Sequence, residues 1–112
     1  MKKIIVTTSW DDGNRLDIKL AELLAKYQIK GTFYIAPQGR DFSLSENELK
    51  QLAKSQEIGA HTISHPALTR IDLEKAGKEI SESKDYLENL LARKIKMFCY
   101  PSGEFNADIK NL

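Results

Sequence analysis

Cysteine is almost absent from this sequence, since Cys99 is the only one among 112 residues. A single cysteine cannot form an internal disulfide bond or a zinc–thiolate cluster, so both are excluded. Glycine and proline are sparse too, at six and three residues, while hydrophobic residues make up 41%. This composition is typical of one small globular domain rather than of a disordered segment.

Long apolar runs and an imbalance of charge are also lacking. No run approaches the ~20 apolar residues of a membrane-spanning helix. The apolar stretch near the N-terminus is too short for a signal peptide, so we expect a cytoplasmic location. Seventeen basic and 16 acidic residues give a net charge of +1, which argues against nucleic acid or an anionic membrane as a partner.

Apolar runs of strand type alternate with helical patterns. The runs predict strands at residues 3–8, 32–36, 57–61 and 94–100. Ser45 and Glu48 form a capping box that starts the second helix, and Asp72 caps the third. The predicted buried face of the first helix is Leu16, Leu20, Leu23, Leu24 and Tyr27. The predicted stripe of the third is Leu73, Ala76, Ile80, Leu87, Leu90 and Leu91.

The order βαβαβαβ predicts an α/β fold with a parallel sheet and right-handed crossovers. In such sheets, chemical groups gather at the carboxyl ends of the strands. Asp11 and Asp12 follow the first predicted strand, His61 ends the third with His65 four residues later, and Pro101 follows the fourth. All three groups are therefore expected at one rim of the sheet.

Each of these motifs also has an ordinary structural interpretation. Asp-Asp-Gly is common in turns, and His-x-x-x-His can be a loop with no ligand. Their expected meeting at one rim favours a metal site instead. Two histidines and one carboxylate suit a divalent ion, and the second carboxylate is then free to act as a general base toward the ion's water. A backbone N–H in Tyr-Pro-Ser-Gly would stabilise the oxyanion formed when that water attacks a carbonyl.

Three motifs in this order, "SWDDG", "HTISH" and "YPSG", resemble those of the polysaccharide deacetylases, which are the NodB-homology proteins of carbohydrate esterase family 4. The connecting text "KGTFYI" and "SHPALTRIDLEKAGKEISESKDYLE" is similar as well, so the resemblance covers nearly the whole chain. It implies a partial (β/α) barrel and a hydrolase that removes acetyl groups from N-acetylated or O-acetylated carbohydrate.

The resemblance also implies roles for individual residues. Asp11 matches the catalytic base, and Ser102 matches the position whose backbone N–H binds the oxyanion. The matched metal ligands are Asp12, His61 and His65, and the metal is usually zinc. Tyr100 and Pro101 match positions beside the substrate.

The sequence departs from the family pattern in two respects. Cys99 occupies the position where an arginine often orients the base, and we expect it to be a small buried strand residue. The chain also resembles only the N-terminal half of the barrel, and it has no third histidine to serve as general acid.

These departures leave two alternatives open beside the carbohydrate deacetylase. One is a hydrolase of small amides, and the other is a non-catalytic half domain that binds a metal and needs a partner. Half a barrel exposes sheet edges and apolar surface. We therefore expect a homo-oligomer, or a missing C-terminal half that completes the domain.

Overall fold

The computed structural model describes residues 2–112 of the chain as a parallel β/α arrangement. The strands are β1 (Thr8–Asp12), β2 (Gly31–Ile35) and β3 (Glu57–Ala60). The helices are α1 (Asp17–Lys26), α2 (Glu46–Ser55), α3 (Leu73–Leu91) and the short α4 (Ala107–Lys110), with 3₁₀ turns at Leu68–Arg70 and Pro101–Gly103.

Within the described residues, the strands form one sheet in the order β1-β2-β3, and both pairings are parallel. The central strand β2 carries the middle of the core, because Phe33 and Ile35 are fully buried. Phe33 lies opposite Trp10 on one side and opposite Ile58 on the other. Helices α1, α2 and α3 add Leu24, Leu52 and Leu87 to the same core, among other residues. The predicted second and third strands are confirmed to within one residue.

The first strand lies further along the chain than the sequence predicts. The apolar run Ile4, Ile5 and Val6 is 75% to 85% exposed, and pairing begins at Thr8 opposite Gly31. In this parallel register, residues 2–7 would need an extended partner upstream of Gly31. The residues just upstream of Gly31 instead form the end of α1 and the turn that follows it. Strand propensity in residues 3–7 therefore finds no partner within the described chain, and of the predicted first strand only Thr8 is paired.

The predicted fourth strand, residues 94–100, is reduced to a single parallel bridge between Ala60 and Phe98. Ala60 N–H donates to the Met97 carbonyl at 2.9 Å, and Cys99 N–H donates to the Ala60 carbonyl at 3.0 Å. The chain leaves α3 through the left-handed residue Ala92, and Lys94 stays within 3.5 Å of Glu88 on that helix. Residues 94–100 therefore approach β3 only near their C-terminal end, at Phe98.

The N-terminal caps of α2 and α3 are the residues predicted from the sequence. Ser45 Oγ accepts from Glu48 N–H at 3.1 Å, and Ser45 N–H donates back to the Glu48 carboxylate at 2.8 Å, which completes the capping box. Asp72 accepts from Lys75 N–H at 2.8 Å and caps α3. In α3, Ala76 and Leu87 are fully buried as predicted.

The buried face of α1 differs from the predicted one. Asp17, Ala21 and Leu24 face the core, whereas Leu16 and Leu23 are 73% and 52% exposed. Apolar residues cover a wide arc of this helix, so the pattern alone does not set its rotation. The prediction is also wrong for Tyr27, which is 62% exposed, and for Leu73 at the start of α3, which is 48% exposed.

No helix of residues 2–112 has the length and apolar character needed to cross a membrane. The cytoplasmic location expected from the sequence remains a prediction.

Leu87→Ala and Leu23→Ala form a matched test of this packing, because both leucines lie on helices. Loss of the buried Leu87 side chain should lower the free energy of unfolding by about 2–5 kcal/mol, since a cavity is left in the core. Loss of the exposed Leu23 side chain should change it by no more than about 0.5 kcal/mol. Urea denaturation measures both values, and equal losses would contradict the observed rotation of α1.

Candidate functional site

The carboxyl ends of the first and third strands meet around the end of β2. Asp12 is the last residue of β1 and lies opposite Ile35. His61 follows β3 directly, and its backbone N–H donates to the Ile35 carbonyl at 3.1 Å. The sheet therefore brings an aspartate and a histidine, about 50 residues apart in the chain, to one edge as the order of elements predicts.

Three side chains converge at this edge. His65 Nε2 lies 3.2 Å from Asp12 Oδ1, and His61 Nε2 lies 3.6 Å from the same oxygen. The two imidazole rings meet edge to face, with their centroids 4.8 Å apart. One possible ligand atom from each of the three residues lies within 4.8 Å of the other two. The predicted grouping of Asp12, His61 and His65 is thus present in the structure.

The orientation of His61 is fixed by its surroundings. The ring is only 1% exposed, and its Nδ1 lies 2.8 Å from the Cys99 carbonyl oxygen. A carbonyl oxygen can only accept, so Nδ1 carries the proton and donates it in this bond. In the neutral ring the lone pair is then on Nε2, which faces Asp12, as in histidines that bind metals.

The donor set fits a divalent cation. Asp12 Oδ1 is buried, and it accepts no hydrogen bond from any residue in the described part of the chain. Two ligands at tetrahedral positions around zinc lie about 3.3 Å apart, because each is about 2.0–2.1 Å from the ion. The two separations from Asp12, 3.2 and 3.6 Å, are close to this spacing, and all three ligand atoms lie within 4.8 Å of one another. The molecule is a parallel β/α protein with a candidate metal site at the carboxyl edge of its sheet.

The backbone at this edge adopts unusual conformations. Four of the six non-glycine residues with positive φ in residues 2–112 belong to the predicted motifs, namely Asp12 (79°), Thr62 (69°), His65 (61°) and Ser102 (56°). Such conformations are sparsely populated and cluster at functional sites. Gly13 continues the turn after Asp12 at φ 85°, where an added Cβ would lie 2.8 Å from the Phe42 ring. These loops are held in shape by the surrounding fold.

Asp11 lies in β1 beside Asp12, in register with Tyr34, and its side chain is exposed. Burial raises the pKa of the Cys99 thiol, and the charges of Asp11 and Asp12 raise it further. The pKa of Tyr34 is raised by burial, then by Cys99 and Asp11. Asp11 therefore lies near Cys99 and Tyr34 at the same edge. Its role as base remains a prediction.

The third motif lies in the turn Pro101–Gly103. Ser102 is exposed, and no atom of the described chain lies within 4 Å of the place where a Cβ on Gly103 would be. The Gly103 N–H donates to the Tyr100 carbonyl at 2.9 Å, so it is not free for a ligand, and the predicted oxyanion role of the Ser102 N–H stays a prediction. Pro101 is fully buried, whereas Tyr100 is half-buried and stacks on the Phe105 ring with centroids 5.0 Å apart. The proposed substrate contacts of Tyr100 and Pro101 remain predictions.

Three features of the site were not predicted from the sequence. Cys99 is half-buried rather than buried, and its carbonyl oxygen orients His61. Glu79 on α3 binds the loop between the two histidines. Asp17 is 8% exposed, and its Oδ2 has no hydrogen-bond partner among the described residues. Asp17 follows Asp12 by five residues, but only the fold shows that it is buried beside it.

Comparison with known proteins identifies the family. The sequence profile of the polysaccharide deacetylase family matches residues 1–112. The chain is 29% identical over 105 residues to a peptidoglycan-N-acetylglucosamine deacetylase of Bacillus cereus, which covers 91% of this chain and 38% of that protein. It is 25% identical over 109 residues to the peptidoglycan-N-acetylmuramic acid deacetylase PdaC of Bacillus subtilis. This match covers 96% of this chain and 23% of PdaC.

The structure also superposes on the deacetylase PplD of Streptococcus pyogenes with a TM-score of 0.90 and 25% identity. This match covers 98% of the present chain and 51% of PplD. The chain belongs to the polysaccharide deacetylase family, and its fold is part of a NodB-type (β/α) barrel. The resemblance and fold class inferred from the three motifs are confirmed. The chain spans about half of the solved relative, and 38% or less of the two curated relatives.

Asp17 should make stability depend on pH. Burial, and then the charge of Asp12, raise the pKa of the Asp17 carboxyl from 3.8 to about 6, against the lowering effect of a hydrogen bond to the Asn14 backbone. The folded chain therefore holds this proton more tightly than the unfolded chain does. The stabilisation that comes from this proton is fully present below the unfolded pKa of Asp17. It is lost as the pH rises from about 4 to about 6.

We expect Asp17→Asn to remove this dependence, because the amide does not ionise. Between pH 4 and pH 7, the free energy of unfolding of the wild type should fall by about 2–3 kcal/mol relative to the variant. Urea denaturation in the presence of a chelator measures the difference at each pH. Parallel curves for the two proteins would show that Asp17 is not buried beside Asp12.

Proposed function

We propose that this chain forms the metal-binding part of a hydrolase that removes acetyl groups from N-acetylated or O-acetylated carbohydrate. The observation that carries the proposal is the convergence of two imidazole nitrogens on Asp12 Oδ1, a buried oxygen without a hydrogen bond. Membership of the polysaccharide deacetylase family supports the same reaction class. The names of the B. cereus and B. subtilis relatives favour an N-acetylated glycan such as peptidoglycan.

Asp12, His61 and His65 are the proposed metal ligands, with zinc as the proposed ion. A bound divalent ion supplies a polarised water at neutral pH and a Lewis acid for the acetyl carbonyl. Three protein ligands leave positions open for water and substrate, as in other catalytic zinc sites. His61 is held by the Cys99 carbonyl, so its Nε2 is available without a rotation of the ring.

Asp11 is the proposed general base. It is anchored next to Asp12 in β1, so a ligand and a base share one strand end. Asp12 is then a metal ligand, while the Asp11 carboxylate accepts the proton of the attacking water. The nearby Cys99 occupies the position of the family arginine, and a thiol cannot supply the paired N–H donors with which a guanidinium would orient Asp11.

The turn at Pro101–Gly103 is the proposed oxyanion site. The left-handed conformations of Ser102 and Gly103 turn the backbone sharply, and the space above Gly103 is open. The Ser102 N–H would donate to the oxygen that becomes negative in the transition state. Tyr100, whose ring is fixed between Phe98 and Phe105, is the proposed contact for a sugar or acyl group.

A second candidate function is a non-catalytic half domain that binds metal and requires a partner. The observation that favours it is the number of histidines, since both are used as ligands and neither is left to protonate the leaving amine. Activity would then need an acid from residues beyond the 112 described by this sequence. A hydrolase of small amides is the third possibility, and it uses the same residues in the same roles.

Asp11→Asn and Asp12→Asn separate these functions. With zinc present, Asp11→Asn should lower acetate release from N-acetylglucosamine oligomers about 100-fold or more, because the base is lost, while zinc affinity is kept. Asp12→Asn should weaken both zinc binding and acetate release, because a ligand is lost. Acetate release and zinc affinity are measured on the same preparations, with a small N-acetyl amide as a second substrate.

Each result of this comparison has one meaning. Full activity in Asp11→Asn would remove Asp11 from the role of base. Zinc binding by the wild type without acetate release from either substrate would favour the non-catalytic half domain. Release from the small amide alone would favour the amide hydrolase.

We also propose that this chain binds a second β/α half, supplied by another copy of itself or by a missing C-terminal half. Apolar side chains such as Ile4, Val6 and Leu16 are 73% to 85% exposed, and β1 is an edge strand with one neighbour within the described chain. Unpaired strand edges and exposed apolar side chains favour association. The solved relative PplD is about twice as long as the matched region.

Light scattering of the 112-residue chain tests this association. Without a C-terminal half, the chain should have at least twice the monomer mass at micromolar concentration, because the exposed apolar residues are buried between copies. Replacing Ile4 and Val6 by serine should shift the chain toward the monomer. A stable wild-type monomer at this concentration would contradict self-association.

A further inference from the structure

We propose that Glu79 is a positioning residue of the metal site, because it fixes the loop that separates the two histidines. This inference rests on the proposed function, since it takes His61 and His65 to be ligands. Glu79 lies in α3, 14 residues after His65, and its side chain is half-buried. It is not among the three grouped side chains that could hold a metal in the described chain. Its effect passes through the backbone of residues 62–64.

The Glu79 carboxylate accepts three hydrogen bonds from this loop. Oε2 accepts from the backbone N–H groups of Ile63 and Ser64, both at 2.9 Å. Oε1 accepts from the Ser64 hydroxyl at 2.6 Å. Hydrogen bonds to an ionised carboxylate are stronger and more directional than those between neutral groups. Two consecutive N–H groups and one hydroxyl are thus held by a single side chain.

The loop needs such an anchor because its own conformation is unfavourable. Thr62 and His65 have φ values of 69° and 61°, and for a β-branched residue such as Thr62 this conformation is a genuine outlier. Within the loop, Thr62 Oγ1 accepts from His65 N–H at 3.1 Å. From the loop after β2, Gln38 N–H donates to the Ile63 carbonyl at 2.8 Å. Glu79 supplies the contact to α3.

His65 depends on this loop more than His61 does. His61 is 1% exposed and is held by β-sheet backbone and by the Cys99 carbonyl. His65 is 31% exposed, so packing fixes it less. The helix that carries Glu79 is packed against the core, because Ala76 and Ser83 on either side of Glu79 are fully buried. Glu79 therefore transfers the position of a packed helix to the more exposed histidine.

Zinc affinity separates positioning from a merely structural role. Affinity is measured by competition with a chromophoric chelator, on protein shown by circular dichroism to be folded. Glu79→Ala should weaken zinc binding about 10- to 100-fold, which is typical when a residue that orients a metal ligand is lost. Glu79→Gln should stay within about threefold of the wild type, because the amide oxygen accepts from both N–H groups and the amide nitrogen donates to Ser64 Oγ.

Two further variants complete the experiment. Glu82→Ala, one turn along the same helix and exposed, should leave zinc affinity unchanged. Ser64→Ala removes only the hydroxyl contact, so it should weaken zinc binding a few-fold in the wild type and not at all in Glu79→Ala, since contacting residues are not additive.

Several results would overturn the proposal. Wild-type affinity in folded Glu79→Ala would do so, and so would an equal loss in Glu79→Ala and Glu79→Gln. If Glu79→Ala does not fold, Ser64→Ala decides, and an unchanged affinity in that variant overturns it. A wild-type protein that binds no zinc would instead overturn the proposed function, and this inference with it. Zinc binding by the wild type with no effect of Glu79 overturns the inference alone.

Discussion

The structure depends on the meeting of Asp12 Oδ1 with the Nε2 atoms of His61 and His65. A buried carboxylate oxygen without a hydrogen-bond donor is unfavourable, because it has lost water and gained nothing in exchange. Two imidazole nitrogens at 3.2 and 3.6 Å do not replace that water while they present lone pairs. A divalent cation bound as proposed would remove the conflict, because Asp12, His61 and His65 would all be its ligands. The parallel sheet, the strained loops and the fixed ring of His61 together bring the side chains of Asp12, His61 and His65 to one place.

Rigidity in the sheet permits strain in the loops. Phe33 and Ile35 are fully buried in β2, and the first and third strands pair with this strand on either side. The chain can therefore hold Asp12, Thr62 and His65 in left-handed conformations that cost about 1–3 kcal/mol each. Side chains in α3 and backbone next to β3 then fix the two histidines. The site is formed by tertiary contacts rather than by the motifs alone.

The sequence predicts the fold where local rules decide the outcome. Alternating strands and helices predict a parallel sheet, and Ser45 with Glu48 predicts the start of α2 because a capping box satisfies its own backbone. The strand prediction is wrong for residues 3–7, because strand propensity has no effect without a partner in register. The predicted buried face of α1 is wrong as well, because a helix with a wide apolar arc can bury a similar area in several rotations about its axis.

The site is predictable in part for the same reason. The positions of Asp12, His61 and His65 follow from the rule that strand ends of a parallel sheet share one edge. The contacts of Glu79 with Ile63 and Ser64, and of the Cys99 carbonyl with His61, leave no pattern in the sequence, because they join segments 15 to 38 residues apart. The burial of Asp17 likewise depends on the rotation of α1, which sequence periodicity does not determine.

The most direct measurement is a zinc titration followed by NMR of the histidine rings. The chain has two histidines, so the spectrum contains two sets of ring signals, and both belong to the candidate site. We predict that both sets shift together, reach saturation at one zinc per chain, and return when a chelator is added. Rings that do not respond to zinc, or that respond separately, would contradict the central claim that Asp12, His61 and His65 bind one ion.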